Sequence, residues 1–135
     1  WTFDRLNTAF RQLEGTARLL AVQKNRYWRT EEGLVLDAGP FVAALEYASG
    51  KEAVTVGKPS QSYFQAAAKA LAVPSTNIVV VGDDIVADVG GAIEAGMRGV
   101  LVRTGKFKPS DLACQDLRPD MVIDSIAELP QVFNF

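Results

Sequence analysis

An α/β fold with a parallel sheet is predicted by three features of the sequence. After Gly50, short apolar runs alternate with segments of helical spacing. The runs Ala53–Val56, Ile78–Val81 and Gly99–Val102 carry almost no polar residue, as strands covered on both faces require. Polar residues follow directly after each run, at Lys58, at Asp83 and at Arg103-Thr104-Gly105-Lys106. Crossover connections bring such positions to one edge of a parallel sheet, the edge where ligands bind.

The elements read in order as follows. Phe3, Leu6, Phe10 and Leu13 predict a first helix ending near Gly15, and Leu19–Val22 a short strand. Asn25 to Gly33 is polar and aromatic and predicts a loop or hairpin. Pro40 suits the first position of a helix with Phe41, Ala44, Leu45 and Ala48 on one face, stopped by Gly50. The strand Ala53–Val56 comes next. Ser60 is placed to cap a helix whose face is Phe64, Ala67, Ala68 and Leu71.

Pro74–Asn77 predicts a turn into the strand Ile78–Val81. A helix from about Val86 to Ala95 follows, ended by Gly96, and then the strand Gly99–Val102. Gly90-Gly91 costs this helix propensity and implies close packing on the sheet. A loop from Thr104 to Pro119 precedes a last strand at Met121–Ile123. Ser125-Ile126-Ala127-Glu128 is a capping-box pattern, with a short terminal helix restarted by Pro130.

The chemistry concentrates in Gly82-Asp83-Asp84-Ile85-Val86-Ala87-Asp88. Three carboxylates at the end of a buried strand repel one another unless a cation neutralises them. Magnesium takes oxygen ligands, usually one or two protein carboxylates completed by water and phosphate. Asp83, first after the glycine, is best placed to reach over the strand end. Asp84 has three candidate roles: ligand, acceptor for a ligand water, or cap of the following helix. Asp88 falls one helical turn later and can face the same site. The plain alternative is solvated acids at a helix N-terminus, where negative charge is favoured.

Lys58 lies in Val56-Gly57-Lys58-Pro59. Glycine there allows close backbone approach, and a compact ammonium suits a phosphoryl oxygen. Thr104-Gly105-Lys106 fails the phosphate-loop pattern, because Phe107 stands where serine or threonine is needed. No Gly-x-Gly-x-x-Gly occurs. Tyr27, Trp28 and Arg29 fit ordinary packing better than ligand contact, and Cys114 has no basic partner at a motif spacing.

Composition narrows the classes. The 135 residues are 48% apolar and 22% charged, with a net charge of −2 and scattered basic residues, which gives no reason to expect nucleic-acid binding. Histidine is absent, so histidine bases and histidine-bound zinc are excluded within this chain. No apolar run approaches the ~20 residues of a membrane span. A single cysteine suits a reducing compartment, so a cytoplasmic location is expected. A homo-oligomer is compatible with the sequence but not specified by it.

Val56-Gly57-Lys58-Pro59-Ser60, followed by Val81-Gly82-Asp83-Asp84 and Asp88, resembles the third and fourth motifs of haloacid-dehalogenase-superfamily phosphatases. Gly39-Pro40-Phe41, Ala44-Leu45-Glu46-Tyr47-Ala48, Gly90-Gly91-Ala92, Gly96-Met97 and Arg103-Thr104-Gly105-Lys106 extend the resemblance to the large-capped subfamily. It covers essentially the whole chain. It implies a HAD-like, Rossmannoid three-layer core, of which residues 38–135 are the second half and residues 1–37 the later part of a cap domain.

The resemblance further implies that Lys58 contacts a phosphoryl group and that Asp83 ligates Mg2+, with Asp88 supporting it and Asp84 nearby. The substrate would be a small phosphorylated compound, hydrolysed through an aspartyl-phosphate. No Asp-x-Asp or Asp-x-Ser pair, the expected nucleophile motif, occurs in these residues. The start at Trp1 fits truncation within the cap, and the isolated chain is expected to be inactive. Two rivals remain: a receiver-like module, disfavoured by the reversed order of lysine and acids, and a non-catalytic phosphate-binding subunit.

Overall fold

The computed structural model describes residues 1–113 and 117–133, so Cys114 lies outside the described residues. Two compact units divide between Gly57 and Lys58.

The first unit opens with α1 (Phe3–Leu13), whose Thr2 hydroxyl accepts the Arg5 amide at 3.4 Å. Past its end, the Lys51 ammonium donates to the carbonyls of Gly15 and Ala17 at 2.7 and 2.9 Å. β1 (Leu20–Ala21) pairs in parallel with β4 (Val54–Thr55). Between them, β2 (Tyr27–Thr30) and β3 (Gly33–Leu36) form an antiparallel hairpin. The polar segment is therefore the hairpin of the two expected alternatives, and its second strand runs on to Leu36.

α2 (Gly39–Ser49) carries Pro40 in its first turn and ends at Gly50 with φ +66°. Its buried residues are Gly39, Val42 and Leu45, whereas Ala44 and Ala48 are exposed. The inward face is thus rotated from the expected one, because alanines give spacing without enough apolar area to orient a helix.

The second unit contains α3 (Gln61–Leu71), β5 (Val79–Gly82), α4, β6 (Arg98–Val102), β7 (Met121–Ile123) and α5 (Leu129–Phe133). α4 begins as a π-helical stretch, Ile85–Gly90, and tightens to α-helix over Gly91–Glu94. The strands form a parallel sheet in the order β5-β6-β7. Val80 packs with Phe64, Ala68, Ile78, Ala92 and Met97 in one apolar cluster. Val79 and Val81 pack with Val100, Val102, Ile123 and α5 in another. The alternation shows a sheet covered on both faces, as its apolar strands predict.

Two expectations for α3 are corrected. Ser60 occupies the N-cap, but its hydroxyl pairs with that of Ser62 at 2.6 Å rather than with the helix backbone. Leu71 is exposed, and Phe64 alone of the expected face is fully buried. The close approach expected of Gly91 is also redirected: a Cβ there would run into the Phe64 ring and the Pro59 backbone, not the sheet. The C-terminal capping box forms as predicted. Ser125 Oγ accepts the Ala127 amide at 3.2 Å, and Glu128 Oε1 accepts the Ser125 amide at 2.9 Å.

Candidate functional site

Every candidate residue of the site lies in the second unit. β5 ends at Gly82, and the next two residues are Asp83 and Asp84. Asp84 takes the N-cap of α4: its Oδ1 accepts the amides of Val86 and Ala87 at 3.1 and 2.9 Å. Its backbone carbonyl accepts both the Asp88 amide at 3.0 Å and the Val89 amide at 3.3 Å. The second of these is the wide π-type bond. The resulting turn folds Asp88 back over the strand end, where its side chain is 9% exposed.

Gly82 makes that fold possible. A Cβ at this position would overlap the Asp88 carboxylate, so only glycine lets the strand end pass so close. Asp88 then uses both oxygens. Oδ2 accepts the Asp84 amide at 3.2 Å, and Oδ1 accepts from the Lys58 ammonium at 2.6 Å. Lys58, first residue of this unit, keeps 44% of its side chain exposed, so its remaining N–H donors reach solvent. The hydrogen bond to Asp88 holds the Lys58 pKa above its ordinary value, burial opposes it, and the charges of Asp88, Tyr63 and Asp84 add to the rise.

The loop after β6 closes the site from the other side. The Lys106 amide donates to Asp83 Oδ2 at 2.6 Å, and its ammonium to Asp84 Oδ2 at 3.2 Å. Burial pushes the Asp84 carboxyl up. The Ala87 amide, the Lys106 ammonium and the Val86 amide together outweigh that, leaving it below the ordinary carboxylate range.

The four predicted residues Lys58, Asp83, Asp84 and Asp88 are thus joined in one network, and Lys106 is a fifth member, from a segment the sequence placed on the same sheet edge without giving it a site role. The available signal was its position just after an apolar strand, shared with Lys58 and Asp83. The candidate roles left open for Asp84 resolve toward the cap.

The donor set fits a hard divalent cation in one respect and limits it in another. All three side chains offer carboxylate oxygen, as magnesium prefers. Yet both oxygens of Asp84 and of Asp88 are taken, and so is Asp83 Oδ2. Among the described residues nothing donates to Asp83 Oδ1, and no group of three acids, cysteines or histidines forms a ready metal cage. A single protein carboxylate completed by water and phosphate is within magnesium's habit.

Comparison with known proteins gives a consistent picture. Residues 55–129 match the HAD-hydrolase-like family. Human phospholysine phosphohistidine inorganic pyrophosphate phosphatase is 44% identical over 130 residues, covering 95% of this chain and 48% of that protein. The 4-nitrophenylphosphatase of Thermotoga maritima superposes with a TM-score of 0.88 at 30% identity, over 97% of this chain and 51% of that one. The glycerol phosphate phosphatase of Mycobacterium tuberculosis, solved in complex with magnesium, superposes at 0.85 with 27% identity, over 95% and 39%. The chain spans about half the length of the curated relatives it matches.

Proposed function

The chain belongs to the HAD-like hydrolase family, and from that premise we propose that it supplies the phosphate- and metal-holding half of a magnesium-dependent phosphatase. The observation carrying this reading is the ion pair of Lys58 with Asp88, tied through the Asp84 amide to the acids at the end of β5.

In this function Lys58 offers its free N–H donors to phosphoryl oxygens, and Asp88 fixes the direction in which they point. Asp83, through its uncommitted Oδ1, would hold Mg2+, while Asp84 shapes the turn and Asp88 anchors the lysine. When bound, the metal would neutralise charge on the transferring phosphoryl group and orient it. Lys58 would stabilise the same charge with its ammonium. Residues 1–37 are assigned to the later part of a cap that selects a small phosphorylated substrate, and residues 38–135 to the second half of the core. The aspartate nucleophile comes from residues outside this sequence, since no Asp-x-Asp or Asp-x-Ser pair lies within it.

The test compares two proteins with p-nitrophenyl phosphate. Residues 1–135 alone turn it over negligibly with or without Mg2+. A form extended to include an aspartate nucleophile motif hydrolyses it only with the metal. Enzyme-like turnover by residues 1–135 defeats the half-site assignment, and an extended form inert toward a panel of phosphoesters defeats the phosphatase reading.

A further inference from the structure

The turn after β6 grips both acids at the end of β5. Its Lys106 amide bonds Asp83 Oδ2 at 2.6 Å, and its ammonium bonds Asp84 Oδ2 at 3.2 Å. Gly105 is shaped around the first of these contacts. Its φ is +54°, in the left-handed region, and a Cβ there would press into the Asp83 carboxylate, with Cγ only 2.9 Å away. One dipeptide, some twenty residues downstream in sequence, therefore dictates how Asp83 is turned.

We propose that Gly105-Lys106 is a positioning element that locks Asp83 with Oδ2 committed and Oδ1 alone presented to a divalent cation. This rests on the reading of Asp83 as the metal ligand. An aspartate side chain at a strand end rotates unless something holds it, and a ligand that must first be ordered binds more weakly. The Lys106 amide removes that rotation. The Lys106 ammonium steadies Asp84 beside it, so the two neighbouring anions do not push each other out of line. Groups that orient a metal ligand in this way are typically worth roughly 10- to 100-fold in metal affinity.

The experiment follows backbone amide resonances of the 135-residue chain during titration with MgCl2. Gly105→Ala weakens the apparent affinity by roughly 10- to 100-fold. Gly96→Ala serves as the control, because Gly96 also has a left-handed φ, +75°, but open space where a Cβ would go. It lowers stability through the same backbone strain and leaves the affinity unchanged. Equal losses in the two variants, or none in Gly105→Ala, overturn the proposal.

Asp83→Asn separates this inference from the reading beneath it. Unchanged affinity in that variant removes Asp83 as the ligand, and the positioning role falls with it. Lost affinity in Asp83→Asn beside intact affinity in Gly105→Ala sinks the positioning role alone. Should Gly105→Ala not fold, the unmodified chain carries the test. Its Lys106 amide resonance moves with the same midpoint as that of Asp83 and exchanges more slowly with solvent once metal is bound. A Lys106 amide indifferent to saturating metal overturns the proposal.

Discussion

Replacing Lys58 by methionine removes the cation that Asp88 faces while keeping most of the stem's packing. Asp88 is then left with the Asp84 amide on Oδ2 and no partner on Oδ1, in a side chain only 9% exposed. Breaking a fully buried pair costs about 3–5 kcal/mol, and an exposed pair contributes about 0.2–1 kcal/mol. Lys58 is 44% exposed, so solvent screens the pair from one end and the expected loss is about 1–2 kcal/mol. A double-mutant cycle with Asp88→Asn isolates the coupling, which should recover most of that figure. The readout must come from the second unit. Both tryptophans, Trp1 and Trp28, lie in the first unit, so their fluorescence is not a direct probe of the second. Hydrogen exchange at the β5 and β6 amides reports it directly. Coupling indistinguishable from zero would show that the 2.6 Å contact does not persist in solution, and the argument for a fixed Lys58 would fail.

Further consequences are testable on the same chain. The Lys58 pKa is raised in the folded state, so its contribution is complete below the ordinary lysine value and fades only as pH climbs through the raised one. Hydrogen exchange measured up to mildly alkaline pH should show no loss attributable to this pair. Asp84 is lowered, so its contribution holds above the ordinary carboxylate value and disappears as pH falls through the depressed one. Asp84→Ala should cost about 1 kcal/mol at neutral pH as a lost cap and flatten the acid limb of a stability–pH curve. An unchanged acid limb would contradict the cap. Gly82→Ala should displace Asp88 and lower the melting temperature of the second unit, and an unaltered melt would show that the strand end accommodates a methyl. Inorganic phosphate should bind more tightly with Mg2+ present than in EDTA, by calorimetry; equal affinity would count against a shared site.

The legible parts of this chain are those that local rules determine. Gly50 and Gly96 stop helices with positive φ, Ser125 and Glu128 close their box, and the parallel strands fall within a residue or two of the apolar runs. These depend on backbone sterics and on donors a few residues apart. The inward faces of α2 and α3 were not legible, since Ala44, Ala48 and Leu71 satisfy a spacing rule but stay exposed. The π-helical opening of α4 was also hidden. It goes with the Asp84 carbonyl accepting both the Asp88 and Val89 amides and Asp88 accepting the Asp84 amide, and hydrophobic periodicity carries no record of those bonds. The site residues could be located, but not their division of labour. That depends on Lys106, which is brought to Asp83 and Asp84 only by the pairing of β5 with β6.

The division of labour follows from charge. Three carboxylates meet two ammoniums here, which leaves one negative charge in excess. Lys58 answers Asp88 and Lys106 answers Asp84, so the excess resides on Asp83, whose second oxygen is bound only by a neutral amide. A monovalent cation would merely cancel it. A divalent one reverses the sign of the cluster, and only a net positive cluster attracts a phosphoryl anion to Lys58 rather than repelling it. On the proposed reading, adjacent aspartates that look interchangeable in sequence therefore serve opposite ends: one is neutralised to build the turn, and the other is left charged so that metal and phosphate would bind together.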